Sequence, residues 1–253
     1  MRPIVLMLAL LAVPAAALEL EETGSYSINR PASLEYDPDF CGLWIANEGR
    51  EIILVTLEGD ELRRFASDLS RIKAITVEEN HLLVADGFGN YQRLSKNGSP
   101  LGDPFPSSQA YSDIEGMVID ADGSIITVED DPERLSWSER DGTVIRKINT
   151  MTLTPPLSEP QGIARDPRTG HLLIVDDWEG TNSLYEFDAE GVLLNTASLY
   201  EYGTDPEGIA IRPGADELFV AFDSGARIVS FRYTPTLPEG AGDLPVAADC
   251  AFF

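Results

Sequence analysis

Three acidic or amide side chains recur at a fixed interval along this chain. Glu115, Gln161 and Glu207 open the tripeptides Glu115-Gly116-Met117, Gln161-Gly162-Ile163 and Glu207-Gly208-Ile209, and successive members lie 46 residues apart. A second set of oxygen donors ends the short apolar runs that follow: Asn47, Asp86, Glu129-Asp130, Asp176-Asp177 and Asp223. Carboxylates gathered on one face raise each other's pKa or demand a cation. Calcium suits such a set, because it takes roughly six to eight oxygen ligands in flexible geometry. Zinc suits it less, since His and Cys are missing from these positions. The expected metal ligands are therefore Glu115, Gln161, Glu207, Asp130, Asp176 and Asp177, holding Ca2+. Lys73, in the same slot as Glu115, and Trp178, directly after Asp177, are the expected ligand contacts.

A plainer reading stands beside this one. A strand-ending Asp often caps the next turn, and capping is the expected role of Asn47, Asp86 and Asp223 taken singly. Lys73 could pair with Glu115 and neutralise part of the cluster. Trp44 is expected in the core, and Trp178 could pack between sheets instead of meeting a ligand. The two histidines, His81 and His171, fall in turns at the far end of the runs from the acids. They are expected on the surface and out of reach as bases. No Gly-x-Ser-x-Gly elbow is present, and no catalytic residue is assigned. In a hydrolase, Glu115 or Asp177 would be the candidate general base.

Such residues converge only if the chain repeats. Lys73 stands 42 residues before Glu115, within Ile72-Lys73-Ala74, and Ala32 stands 41 residues before Lys73, within Pro31-Ala32-Ser33. A period in this range marks a repeat architecture. After each opening come a turn and a short apolar run ("LWIAN", "LLVAD", "IITVED", "LLIVDD", "LFVAFD"), as buried strands require. Third strands follow, and four of them run into turns at Gly59, Gly98, Gly142 and Gly191. Four antiparallel strands repeated radially make a β-propeller blade. The expected fold is all-β, a five-bladed β-propeller of four-stranded antiparallel blades. The N-terminal "LELEETGSYSIN" would supply the last blade's missing strand and close the ring. Six blades remain open if each terminus builds its own. Gly after the opening residue would let neighbouring backbones approach closely.

Residues 1–17 read as a cleavable signal peptide, with Arg2, an apolar stretch over residues 4–13 and Ala15-Ala16-Ala17. That stretch is too short to span a bilayer. The expectation is a periplasmic or secreted, non-membrane-spanning monomer, with residues 18–253 as one domain. The formal charge of −25 argues against nucleic acid. The partner expected at the channel mouth is a small molecule or protein of unknown identity. Cys41 and Cys250 are expected to form a disulfide, with two free buried thiols as the alternative. The bridge would constrain the unfolded chain by about 4–5 kcal/mol in the loop-entropy model.

The segments "PQGIARDPRTGHLLIVDD" and "PEGIAIRPGADELFVAFDSGARIVSF" resemble NHL-type repeats and the gluconolactonase/senescence-marker group of calcium-dependent propellers. The exported layout and the "EGI" openings are similar to the SdiA-regulated family. That resemblance implies five blades and a calcium site. The lactonase relatives imply hydrolysis of lactones or phosphoesters by a divalent metal held by Glu and Asn/Asp on inner strands. The matching positions here are Glu115, Gln161 and Glu207, with Lys73 and Ala32 in the other slots and the Asn ligands absent. Two functions follow. The first is a binding or scaffold protein with a calcium site at one mouth of the channel. The alternative is a metal-dependent hydrolase of a lactone or ester.

Overall fold

The computed structural model describes residues 18–47, 49–107, 113–237 and 244–245. Residues 1–17, where the signal peptide is expected, and Cys250 lie outside the described residues. No helix among the described residues is long and apolar enough to cross a membrane.

The chain forms five four-stranded antiparallel sheets. The first comprises β2 (Pro31–Asp37), β3 (Gly42–Asn47), β4 (Glu51–Thr56) and β5 (Glu61–Ala66). The second comprises β6 (Ile72–Glu78), β7 (His81–Asp86), β8 (Asn90–Ser95) and β9 (Phe105–Pro106). The third comprises β10 (Ile114–Ile119), β11 (Ile125–Asp130), β12 (Glu133–Ser138) and β13 (Val144–Asn149). The fourth comprises β14 (Pro160–Arg165), β15 (Leu172–Asp176), β16 (Ser183–Phe187) and β17 (Leu193–Ser198). In the fifth, β18 (Pro206–Arg212), β19 (Glu217–Phe222) and β20 (Arg227–Thr234) are joined by β1 (Glu19–Ser27), which pairs antiparallel with β20. The first strand of each sheet packs beside the first strand of the next, around to β18 against β2. This is a five-bladed propeller closed by its N-terminal strand. The six-bladed alternative does not occur, because β1 and β20, the first and last described strands, share one blade. The outer strand of the second blade is cut to two residues: Pro100, Pro104 and Pro106 crowd that segment, and proline has no N–H for a ladder.

The apolar runs are continuous because each second strand is buried on both faces. Side chains alternate along a strand. Leu43 and Ile45 join a core shared with Phe219 and Ala221 of the fifth blade, while Trp44 and Ala46 join one shared with Leu82 and Val84 of the second. The same division recurs at Leu172 and Ile174 against Leu173 and Val175. Each interface between neighbouring blades thus has its own core, and Trp44 lies fully buried in one of them.

The openings have a common irregularity. Pairing slips at Ala32, Lys73, Glu115 and Glu207, and over Gln161-Gly162. Each is a bulge that re-aims one side chain out of the sheet. The glycine after it sits against the next blade's backbone. A Cβ on Gly116 would lie 2.6 Å from the Gln161 carbonyl, and one on Gly162 would lie 2.6 Å from the Glu207 carbonyl. Gly162→Ala should therefore destabilise the fold by about 1–3 kcal/mol in urea unfolding. Gly24→Ala in β1, where a Cβ meets only the Ser230 hydroxyl at 3.3 Å, should cost much less. Equal losses would show that inter-blade contact is not what demands glycine here.

Candidate functional site

The bulges deliver four opening side chains to one mouth of the channel. Lys73 Nζ lies 2.6 Å from Glu115 Oε2. The Gln161 amide nitrogen, oriented toward carboxylates that can only accept from it, donates to Glu115 Oε2 at 2.9 Å and to Glu207 Oε2 at 3.2 Å. Lys73, Glu115 and Gln161 are buried, and Glu207 is half-buried. The fifth slot holds Ala32, which has no polar group. A recess of about 60 Å3 opens there, lined by Ala32, Lys73, Glu207 and Asp223.

Burial pushes the Glu115 carboxyl up to about 7, with Lys73 pulling against it and Asp130 and Asp113 adding to it. Burial pushes Glu207 up to about 8; Lys73 opposes, while Glu115, Asp205 and Asp177 contribute. Burial alone would lower the Lys73 ammonium, but Glu115 and Glu207 outweigh it and hold the pKa above its ordinary value.

Beside this line sits a carboxylate cluster. Asp113, Glu115 and Asp130 each offer an oxygen within 4.8 Å of the others, close enough to hold a metal ion. Buried Oδ1 atoms of Asp113 and Asp130 have no hydrogen-bond partner. The nearest cation to Asp113 is Arg71, whose Nη1 is 3.7 Å away. Burial and then Asp113 raise the pKa of Asp130.

The other candidates are placed differently. The Asp176 carboxylate accepts from the Glu159 amide at 2.8 Å and from the Thr181 amide and hydroxyl at 2.5 and 2.6 Å. It closes a turn, as Asp86 does by accepting from the Phe88 and Asn90 amides. Asp177 shares a hydrogen bond with Asp205, and burial first and that contact second raise its pKa. Trp178 is 54% exposed and so does not pack between blades. His81 is half-buried beside Glu78, Nε2 to Oε2 2.7 Å. His171 is buried rather than on the surface, because its Nδ1 meets the fully buried Glu186 carboxylate at 2.8 Å. Among the described residues no cysteine is a free thiol.

Asp113 was not expected. Its signal lies in the repeat: Arg30, Arg71, Asp113, Glu159 and Asp205 stand two residues before Ala32, Lys73, Glu115, Gln161 and Glu207. This outer set gives the mouth a basic side on the first two blades and an acidic side on the other three.

No family model matches the chain, and no curated protein matches it. Solved structures share its fold. Myxococcus xanthus glutaminyl cyclase aligns with TM-score 0.70 at 12% identity, over 87% of this chain and 98% of that one. Virginiamycin B lyase from Staphylococcus aureus aligns with TM-score 0.51 at 16% identity, over 82% of this chain and 66% of that one. The Cps50 (Swd1) propeller domain of Myceliophteria thermophila aligns with TM-score 0.56 at 9% identity, over 85% and 100%. At these identities the likeness is one of fold.

The raised carboxyls set a pH dependence. Folded Glu115 and Glu207 hold protons that unfolded chains release near 4.5 and keep them until about 7 and 8. Their contribution to stability is complete below the unfolded value and is lost as pH rises through the folded ones. Urea midpoints in metal-free buffer should fall between about pH 5 and pH 8.5, and Glu207→Gln should flatten that fall. Identical slopes for both proteins would count against a buried, proton-holding Glu207.

Proposed function

We propose that this chain is an exported propeller of the NHL/SdiA-regulated kind whose acidic mouth binds a divalent cation, calcium, and uses the adjoining recess to bind a ligand. The observation carrying the metal reading is the pair of buried Oδ1 atoms on Asp113 and Asp130 that lack a hydrogen bond beside Glu115, with only Arg71 at 3.7 Å from the first. A buried carboxylate oxygen without a partner is costly, and a hard cation supplies what the protein does not. An all-oxygen set favours calcium over zinc. Gln161 and Glu207 continue from this cluster toward the recess, and Trp178, next to Asp177, stands exposed to solvent. Export to an oxidising compartment and a Cys41–Cys250 bridge belong to the same proposal.

Calcium at a hundredfold its dissociation constant should stabilise the protein by about 2.7 kcal/mol. Asp113→Asn and Asp130→Asn should abolish the shift in thermal melting, while Glu207→Gln should retain it. Calcium bound equally by all three variants would remove the proposed site.

A second reading, enzymatic, is favoured by Glu207 and Lys73 facing one recess. Glu207, with its carboxyl pushed up to about 8, is protonated at neutral pH and can serve as a general acid. Lys73 can stabilise a developing oxyanion. The glutaminyl cyclase neighbour suggests the reaction to test. In it, the free α-amine of an N-terminal glutamine attacks the side-chain amide carbon and gives up a proton, the side-chain amide C–N bond breaks, and the departing nitrogen takes up a proton and leaves as ammonia. The assay is ammonia release from a Gln-initiated peptide, with a lactone as the probe for hydrolysis. Activity should fall by about 100-fold or more in Glu207→Gln. No turnover of either substrate by the wild-type protein would leave binding alone as the role of the recess.

A further inference from the structure

The inner strands end, on the face opposite the acidic mouth, around a second cavity. It holds about 350 Å3, and its wall includes Glu35, Val118, Ile119, Ala164, Arg165 and Ile211. That volume lies within the roughly 300–1,000 Å3 of small-molecule sites. Most of its lining is apolar, from the ends of β10, β14 and β18. Its two charged side chains differ in state. Arg165 Nε lies 2.9 Å from Asp120 Oδ1, so that pair is neutral as a unit. Glu35 has no cation beside it among the described residues; the Val77 backbone N–H supplies its hydrogen bond. Nearby Asp37 offers no relief, because it is itself an acid held by Lys96 and by the Trp44 indole. Burial pushes Glu35 up to about 8, with the Val77 amide opposing and Asp37 adding.

We propose that this opposite mouth is a separate binding site for a small organic amine with an apolar body. The ammonium pairs with the Glu35 carboxylate, and the body packs on Val118, Ile119, Ala164 and Ile211. An ammonium gives the half-buried Glu35 carboxyl the counter-ion it lacks and lets it release its proton to solvent, since a charge held away from water is stable only when paired. A carboxylate ligand would instead meet Glu35 and an Arg165 already engaged by Asp120. The chain's charge of −25 also draws cations toward its openings. None of these residues belongs to the calcium cluster or its recess, so the two sites stand or fall separately.

The test is calorimetric titration of the intact protein at physiological salt with benzylamine, benzyl alcohol and benzoate. Benzylamine should bind saturably at one site, and the alcohol and the acid at least about tenfold more weakly. Glu35→Gln keeps an acceptor for the Val77 amide but cannot ionise opposite an ammonium. It should weaken benzylamine about tenfold and leave benzyl alcohol unchanged. Ala164→Phe, which fills the cavity, should remove binding of both and serves if Glu35→Gln does not fold. The proposal is overturned by equal affinity for amine and alcohol, by preference for benzoate, or by full binding in Glu35→Gln or Ala164→Phe. No binding of benzylamine overturns it as well.

Discussion

Where the blades meet at the acidic mouth, backbone lies against backbone. The Gln161 carbonyl occupies the space a Cβ on Gly116 would need, and the Glu207 carbonyl occupies that of Gly162. This close approach is the constraint from which the mouth is built. It admits only glycine after each opening residue in the last three blades. The bulge just before it turns the preceding side chain out of the ladder. Lys73, Glu115, Gln161 and Glu207 therefore point at one another although they are far apart in sequence. Closure by β1 fixes the circumference, and with it the distance between the first blade and the last.

Charge at the mouth is balanced unevenly. Lys73 is a built-in cation for Glu115 and, more weakly, for Glu207. One ammonium cannot satisfy Glu115, Asp113 and Asp130 together, and two buried oxygens of that group are left without a hydrogen bond, Arg71 standing 3.7 Å from one of them. Glu115 and Asp130 respond by holding their protons above the usual range. Ala32 leaves the ring of polar side chains open at one point, and the recess forms there.

Stability and chemistry are supplied by different parts of each blade. The second and third strands fill the cores between blades, where Trp44, Leu82, Ile174 and Phe219 are fully buried. The inner strands add residues such as Ile75, Met117 and Ile209 to those cores, while the bulged openings turn the side chains of Lys73, Glu115, Gln161 and Glu207 to the mouth. Two mouths can thus carry different chemistry on one frame: oxygen donors and an internal lysine at one, an apolar cavity with a single unpaired acid at the other. That separation is general to the fold, since propellers host unrelated functions on one frame.

The repeat was legible in the residues themselves. Spacing placed five openings, apolar runs buried on both faces marked the second strands, and "LELEETGSYSIN" was a strand in need of a sheet. These features are local or periodic, so one dimension carries them. The side-chain partners were not legible in the same way. Asp176 and Asp130 end equivalent strands, yet one is enclosed by the Glu159 and Thr181 amides while the other keeps a bare oxygen. Nor did the sequence disclose Asp113, His171 against Glu186, or the cavity around Glu35, although the charged residues two places before each opening carried part of that signal. The chain's periodicity determined the repeat and where its strands begin, and the pairing of β1 with β20 decided five blades over six. Only the closed ring decided which charges meet, because side chains from different blades come within hydrogen-bonding distance once the bulges have aimed them across the channel.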